Sequence, residues 1–380
     1  MLVGLVGIPS SGKSTMFKAL TLKDVAIADY PFTTIKANEG VSSVAIECPC
    51  KELNVKCNPK NSECRDGMRH IPIKLLDVAG LVKDAHKGRG RGNEFLDDLR
   101  QASALIHVLD VSGKTDSEGK LGIGNPEENV KILENEIDYW IFGIVQKNLG
   151  KIERTAAAEK TPLQRLLAEQ LSGLGVNEND IKTALDKEKP ETLEFARELR
   201  KISKPIIVAA NKIDIPEAQK NFEKMKDGIE NIVPCSADSE LALKEADEKG
   251  LIKYDGKDFE ILGQVDEKQN AALEFIKKNI LEKYGSTGVQ ECLNRTVFEF
   301  LNMIVVYPVE NENRYSDKKD NVLPDAIILK KDSTTMDLAK AIHSDIAEGM
   351  IGAIDARTKM KIGKDHELKG GDIIKIIFKG

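Results

Sequence analysis

Four short motifs carry side chains that could bind and cleave a phosphoanhydride. Gly7-Ile8-Pro9-Ser10-Ser11-Gly12-Lys13-Ser14-Thr15 reads as G-x-x-x-x-G-K-S and follows the apolar run 2–6. Glycines at its two ends let a backbone fold round a phosphate with several N–H groups aimed at it. A helix opening near Lys13 would add the positive end of its dipole. Lys13 is the mobile charge for the outer phosphates and Ser14 the hydroxyl for Mg2+, so the motif implies a nucleoside triphosphate. In Asp77-Val78-Ala79-Gly80, after the apolar stretch 73–76, Asp77 can hold Mg2+ through water and Gly80 can donate its N–H to a γ-phosphate. Asn211-Lys212-Ile213-Asp214 follows the apolar run 205–210. The Asp214 carboxylate can accept two hydrogen bonds from guanine N1 and N2, a donor pair adenine lacks, so it would select guanine by an unpaired-group penalty. The stem of Lys212 can lie along the base, and Asn211 can tie this loop to the first. Ser236-Ala237, after the weaker apolar run 232–235, offers a backbone N–H for guanine O6. Any one motif recurs by chance; the four in this order, each after a strand, do not.

Two segments have the makings of switches. Tyr30-Pro31-Phe32-Thr33-Thr34 lies between the first helix and the next strand; Thr34, with Thr33 as runner-up, is the candidate second hydroxyl on Mg2+. After Gly80, the run 81–93 contains His86-Lys87-Gly88-Arg89-Gly90-Arg91-Gly92, too rich in glycine for a rigid helix. Lys13, Thr34, Gly80 and His86 are the catalytic candidates. His86 could orient water, although a loop histidine is commonly just solvated; Arg89 could act as an arginine finger or contact a partner.

Elements that could position these groups are legible around them. Short apolar segments at 2–6, 73–76, 104–111 and 205–210 predict an α/β fold with a mostly parallel sheet covered on both faces. Between 115 and 200 the period changes: Val130, Leu133, Ile137, Trp140, Ile141 and Ile144, then Leu163, Leu166, Leu167 and Leu171, recur at helical spacing. This reads as a helical insertion entered through the loop 112–126, its stripes packing as core. From about 305, strand-like runs at 304–309, 326–329 and 373–378 enclose one amphipathic segment opened by Ser333-Thr334-Thr335 and carrying Leu338, Ile342 and Ile346. A chain of 380 residues accommodates two or three domains, and its net charge of −6 gives no global attraction to nucleic acid. The apolar start 1–8 is too short for a secretory signal and reads as a first core strand, so the expected location is the cytoplasm, with no membrane partner.

Asp77-Val78-Ala79-Gly80-Leu81-Val82, then Gly-Arg-Gly and Asn93-Glu94-Phe95-Leu96, resembles the Obg/YchF family of translation-associated GTPases, and Tyr30 to Thr34 resembles its first switch. Tyr307-Pro308-Val309 and Leu368-Lys369-Gly370-Gly371-Asp372-Ile373-Ile374 resemble the TGS domain, a ubiquitin-like β-grasp module. The likeness is greatest to the archaeal and eukaryotic YchF-related branch. It implies a P-loop NTPase G domain over 1–300 (core 1–114 and 201–300, helical insertion about 115–200) and a TGS domain over 304–380. It further implies Mg2+, GTP and GDP as ligands, slow hydrolysis, and a ribosome or RNA partner, or a protein met through the TGS domain or the insertion. YchF itself departs from Asn-Lys-x-Asp and resembles an ATPase in preference; this chain keeps Asp214, which favours GTP. Three departures matter. Many relatives carry Asn at the position of Ser10, associated with a K+ ion, so K+ activation is in question here. Leu81 stands where Ras-like enzymes place a water-orienting Gln, so turnover is expected on the order of 10⁻³ s⁻¹ or below. Ala37 replaces a common Pro.

Cys48-Pro49-Cys50, Cys57 and Cys64 fall within 17 residues. Thiolates so close can hold Zn2+, yet C-x-C followed by two six-residue gaps matches no common zinc template, and an insertion loop with free cysteines is the plainer reading. Cys235 and Cys292 read as core residues. From Val322 to Gly380 there are ten Lys/Arg and nine Asp/Glu, which argues against charge-driven RNA binding by that part alone. Two other functions stay open: a nucleotide-gated RNA- or ribosome-binding scaffold with negligible hydrolysis, and a YchF-like ATPase.

Overall fold

The structure, a computed structural model, describes residues 1–22, 38–80 and 92–379. In chain order its elements begin with β1 (Leu2–Val6), α1 (Lys13–Thr21), β2 (Glu39–Glu47), β3 (Glu63–Arg65), β4 (Met68–Asp77), α2 (Gly92–Gln101) and β5 (Ala104–Asp110). Helices α3 (Pro126–Glu159), α4 (Leu163–Gln170), α5 (Glu178–Leu185) and α6 (Leu193–Ser203) follow. Then come β6 (Ile206–Asn211), α7 (Pro216–Met225), β7 (Ile232–Pro234), α8 (Ala237–Glu248), β8 (Ile252–Tyr254), β9 (Phe259–Ile261), α9 (Glu267–Ile276), α10 (Glu282–Tyr284) and α11 (Val289–Arg295). The chain closes with β10 (Met303–Pro308), β11 (Ile327–Lys330), α12 (Thr335–Ile342), α13 (Ser344–Gly349), β12 (Met350–Asp355), β13 (Lys361–Ile362) and β14 (Ile373–Phe378). Among the described residues no helix is long and apolar enough to cross a membrane. The chain packs as two compact units: one of residues 1–22, 38–40 and 74–296, the other of 41–73 and 297–379.

In the first unit β4, β1, β5, β6 and β7 lie side by side, all parallel. Every residue of β5 is buried, as expected of a strand covered on both faces. The register aligns the strand ends: Leu5 faces Asp77, and Asp110 faces Asn211. Ligands of such sheets bind beyond these carboxyl ends. On one face Leu133, Ile137, Trp140 and Ile141 of α3 pack with Phe95, Leu99, Phe195 and Leu199. On the other, Leu109, Val208 and Ala210 meet Phe222, Leu243 and Ile276. The four helices α3–α6 stand between β5 and β6. Helix α3 starts where Asn125 accepts the Glu127 N–H and Pro126 takes the first turn, and it stops at Lys160, in the left-handed region at φ 53°.

In the second unit, β11, β10, β14, β12 and β13 form a sheet in that order, with β10 and β14 parallel at its centre and the flanking pairs antiparallel. With α12 packed on it through Leu338 and Ala339, this is a ubiquitin-like β-grasp. The single helix expected after Thr334 is in fact two. Thr334 and Asp337 form a capping box for α12, but His343 is extended (φ −167°, ψ 146°) and its Nδ1 accepts the Asp345 N–H, so Ile346 belongs to α13. The periodicity at 338, 342 and 346 survives this break and conceals it. β12 also went unpredicted, since Gly352 interrupts its apolar run. The unit's remaining hairpin joins β3 to β4 through Asp66-Gly67, both at positive φ (49° and 78°), a two-residue turn of the kind Asp-Gly favours.

Candidate functional site

Three loops converge at the carboxyl ends of β1, β4 and β6. The loop 7–12 is compact because Gly7 and Gly12 leave no room for side chains: a Cβ on Gly7 would lie 2.5 Å from Val108 O, and one on Gly12 2.2 Å from Asn211 Nδ2. Gly12 also sits at φ 93°, where a Cβ is strained. The Met16 N–H reaches Gly12 O at 2.9 Å, opening α1 with its first amides toward the loop. Pro9, Ser10 and Ser14 are exposed, Lys13 and Thr15 half-buried, and Ser11 buried with its hydroxyl unpartnered. Ser10, at φ 64°, donates its hydroxyl to Gly119 O at 3.2 Å. Lys13 Nζ pairs with the Asp77 carboxylate, so the lysine and the acid that the sequence suggests for phosphate and metal meet at one point. Gly80 lies three residues on, half-buried, and a Cβ there would make ordinary contact with Pro9 Cγ at 3.7 Å.

Asn211 joins the loops that follow β1, β6 and β7. Its amide Nδ2 donates to Ser11 O at 2.9 Å, while its Oδ1 accepts the Ala237 N–H at 3.0 Å. One buried side chain thereby joins the glycine loop to both downstream motifs. Lys212, at φ 68°, donates from Nζ to Ser10 O at 2.8 Å and to Asp110 Oδ2 at 2.8 Å. Asp214 is half-buried and accepts the Ser236 hydroxyl at 2.8 Å; the Ile213 N–H reaches Cys235 O at 3.0 Å. Ser236 in turn caps α8 through the Ser239 N–H. Lys13, Ser14, Asp77, Asn211, Lys212, Asp214, Ser236 and Ala237 therefore gather at one edge of the sheet. Thr33, Thr34, Ala37, Leu81, His86 and Arg89 lie outside the described residues.

Two acids of this site were not foreseen. Asp110 is buried at the end of β5, whose residues are apolar apart from it and His107, and a buried acid at a strand's carboxyl end is the signal that could have flagged it. It accepts the Ser112 hydroxyl at 2.6 Å, the Thr115 hydroxyl at 2.6 Å and the Lys212 ammonium. Burial alone would raise its pKa; the Lys212, Ser112 and Thr115 hydrogen bonds outweigh that and hold its carboxyl below the usual range. The lowered value makes this a stabilising contribution, present above the unfolded value of 3.8 and lost as pH falls through the folded one. Asp110→Asn removes the anionic partner of Lys212, and nucleotide affinity is expected to fall about tenfold at neutral pH, read by fluorescent-nucleotide titration. The second acid, Asp98 on α2, accepts the Ala79 N–H at 3.3 Å and so holds the turn after Asp77.

The donors suit a nucleotide and its metal: a glycine-walled cradle, a buried hydroxyl without a partner, a lysine, and a carboxylate beside a helix start. Sheet order and cradle together define a P-loop nucleoside triphosphatase fold with an appended β-grasp. Comparison with known proteins agrees. Residues 2–147 match the family described as 50S ribosome-binding GTPase, 209–311 the Obg-like GTPase YGR210-like G4 motif-containing domain, and 319–378 the TGS domain. An uncharacterised GTP-binding protein of Methanocaldococcus jannaschii is 53% identical, the alignment covering 99% of this chain and 98% of that one. A ribosome-binding ATPase, YchF, of Bacillus subtilis is 30% identical over 65% of this chain and 69% of its own. A solved GTP-binding protein of Pyrococcus horikoshii is 41% identical and covers both chains fully, with a TM-score of 0.79. The chain belongs to the YchF-related family of Obg-like GTP-binding proteins.

Proposed function

We propose that the chain is a guanine-nucleotide switch that hydrolyses GTP slowly to GDP and phosphate in the cytoplasm and engages a ribosome or RNA according to the nucleotide held. The observation that carries this is Asn211 joining the glycine loop to the Asp214 and Ala237 loops, which sets the base loops against the phosphate loop. In this reading the residues from Gly7 to Thr15 wrap the phosphates, Lys13 neutralises the outer two, and Asp214 and the Ala237 N–H read the base edge. Ser14, Thr34 and Asp77 would hold Mg2+. When bound, the metal supplies charge neutralisation of the β- and γ-phosphates. Gly80 donates to the γ-phosphate, and the segments beginning at Thr34 and Leu81 respond to its presence.

Asp214 separates guanine from adenine, and so this reading from that of an ATPase. GTP is expected to bind more tightly than ATP, and Asp214→Asn to remove roughly 10- to 100-fold of that preference, since the guanine donors lose a charged acceptor. Titration with fluorescent GTP and ATP checks it; equal affinities in the unmutated protein would sink the guanine assignment. A relative bearing the name ribosome-binding supports the partner class. Cosedimentation with ribosomal particles in GTP-analogue, GDP and nucleotide-free states tests it, with binding expected to differ among the three. Single-turnover hydrolysis with and without ribosomes decides between a switch and a scaffold.

A further inference from the structure

Outside the nucleotide site, the second unit holds a cluster that the proposed switch does not use. Cys48, Cys50, Cys57 and Cys64 are far from any zinc template in spacing, yet their four Sγ atoms all lie within 4.8 Å of one another. Cys48 and Cys57 are 4.0 Å apart at sulfur, and Cys50 and Cys64 3.8 Å. A tetrahedron with Zn–S bonds of about 2.3 Å places its sulfurs about 3.8 Å apart. Two disulfides would instead give two bonded pairs at about 2.05 Å.

The backbone shows how so irregular a spacing converges. Cys48 leaves β2 with its N–H on Gly67 O at 2.9 Å, and the Lys51 N–H turns back to Cys48 O while the Val55 N–H turns back to Cys50 O. This knuckle presents Cys48 and Cys50 side by side. Cys64 arrives on β3, opposite Arg69 of β4. Arg69 is fully buried and donates from Nη2 to Cys48 Sγ at 3.5 Å, from Nη1 to Ser62 Oγ at 3.0 Å and from Nη2 to Leu323 O at 2.9 Å; its guanidinium lies 5.3 Å from the Tyr307 ring centre. A buried cation donating to sulfur suits a four-thiolate site, which carries net negative charge with a divalent ion.

The knuckle lacks a core of its own. None of residues 51–60 is buried, and Leu53 and Val55 are the only apolar side chains among them apart from Cys57 and Pro59. Ordering such a loop costs backbone entropy that it cannot recover by burying apolar surface, and small apolar-poor segments commonly offset this with a metal. The loop is nevertheless held in one conformation along residues 321–326. The Asn58 N–H reaches Val322 O at 3.0 Å and the Lys60 N–H Pro324 O at 2.7 Å. Asn58 Nδ2 donates to Asn321 Oδ1 at 2.9 Å, and Asn61 exchanges hydrogen bonds with both backbone groups of Ala326 at 2.9 and 3.1 Å.

We propose that Cys48, Cys50, Cys57 and Cys64 bind one Zn2+ as thiolates, each S–H losing its proton to solvent as its Zn–S bond forms, and that the metal fixes the knuckle against residues 321–326, the strap entering β11. The test uses the full chain purified without chelator. Metal analysis should find one zinc per chain, released on mercurial titration of the thiols. Cys57→Ser and Cys64→Ser should each abolish it, while Cys235→Ser, which alters the separate buried Cys235–Cys292 pair, should retain it. Cobalt replacement should give the thiolate charge-transfer bands of a tetrahedral site. Chelation should remove amide-exchange protection at Val322 and Ala326. Unmutated protein that is folded yet free of zinc, or whose four cysteines form disulfides, overturns the metal site. Exchange unchanged by chelation overturns the fixing role. Iron in place of zinc overturns the choice of metal.

Discussion

Lys13→Ala should weaken GTP and GDP binding by about 10- to 100-fold while leaving the melting temperature nearly unchanged. The loss follows from removing a charge-assisted hydrogen bond to phosphate, worth about 1.5–3 kcal/mol in net terms. The ammonium is placed by the first turn of α1 and already pairs with Asp77, with side-chain exposures of 13% and 28%. The variant also removes the ammonium that pairs with Asp77, so one positive charge fewer faces the triphosphate. Stability behaves differently, because a half-buried ion pair with water access contributes about 1 kcal/mol or less. Isothermal titration and a thermal melt on the same sample separate the two effects. Unchanged affinity would remove the glycine loop from the binding site. Gly12→Ala is the companion variant. Its new Cβ would meet Asn211 Nδ2 at 2.2 Å, so it breaks the link between the phosphate and base loops rather than a phosphate contact. Nucleotide affinity and base preference should fall together there, whereas Lys13→Ala leaves the base preference intact.

How much of this arrangement the sequence discloses depends on the range of the interactions. The glycine loop is legible because a local pattern sets it: an apolar strand, two glycines at positions no Cβ fits, and a lysine opening a helix. The sheet's parallel centre is legible for the same reason, since β5 and β6 are mostly apolar, broken only by His107 and by the polar residues at their ends, Asp110 and Asn211. The break at His343 is not, because Leu338, Ile342 and Ile346 keep a helical period across it. Asp110 escaped notice because its partner Lys212 lies 102 residues away and only the register of β5 against β6 brings them together. The grouping of 41–73 with the C-terminal residues is equally silent. Its contacts, such as Asn61 with Ala326, join positions 265 apart through polar groups that carry no periodic signal. The four cysteines mislead by spacing, since a knuckle and a hairpin with a left-handed Asp-Gly turn bring them together where linear templates see no match.

Arg200→Leu should destabilise the first unit by about 3–5 kcal/mol, the cost of stripping the partner from a buried ion. Arg200 lies on α6 and donates from Nε to Asp138 Oδ1 of α3 at 2.7 Å, with exposures of 8% and 2%. Arg197, itself 42% exposed, is a weaker second partner for Asp138 at 3.4 Å. Burial already pushes the Asp138 carboxyl above the usual range against the pull of Arg200 and Arg197. Removing Arg200 raises it further. A raised value favours the neutral acid in the folded state, so the variant's penalty relative to the unmutated protein is smallest at low pH and grows as pH rises from the unmutated folded pKa toward the variant's higher one, levelling off above it. The gap in melting temperature from the unmutated protein should therefore be on the order of 10 °C at pH 7 and narrow as pH is lowered toward the ordinary carboxylate value of 3.8. Asp138→Asn in the same chain should recover part of the loss, because an amide is cheaper to bury than an unpaired carboxylate. A gap independent of pH, or no recovery by the double variant, would assign the effect to lost packing instead. The pair also bears on how the helical insertion is held, since α3 leaves the sheet after β5 and α6 returns to it before β6. Apolar packing at Leu133, Ile137, Phe195 and Leu199 holds these helices together without direction. The Arg200–Asp138 bond adds direction, fixing the rotation of α6 on α3 and with it the entry of β6, the strand that ends in Asn211.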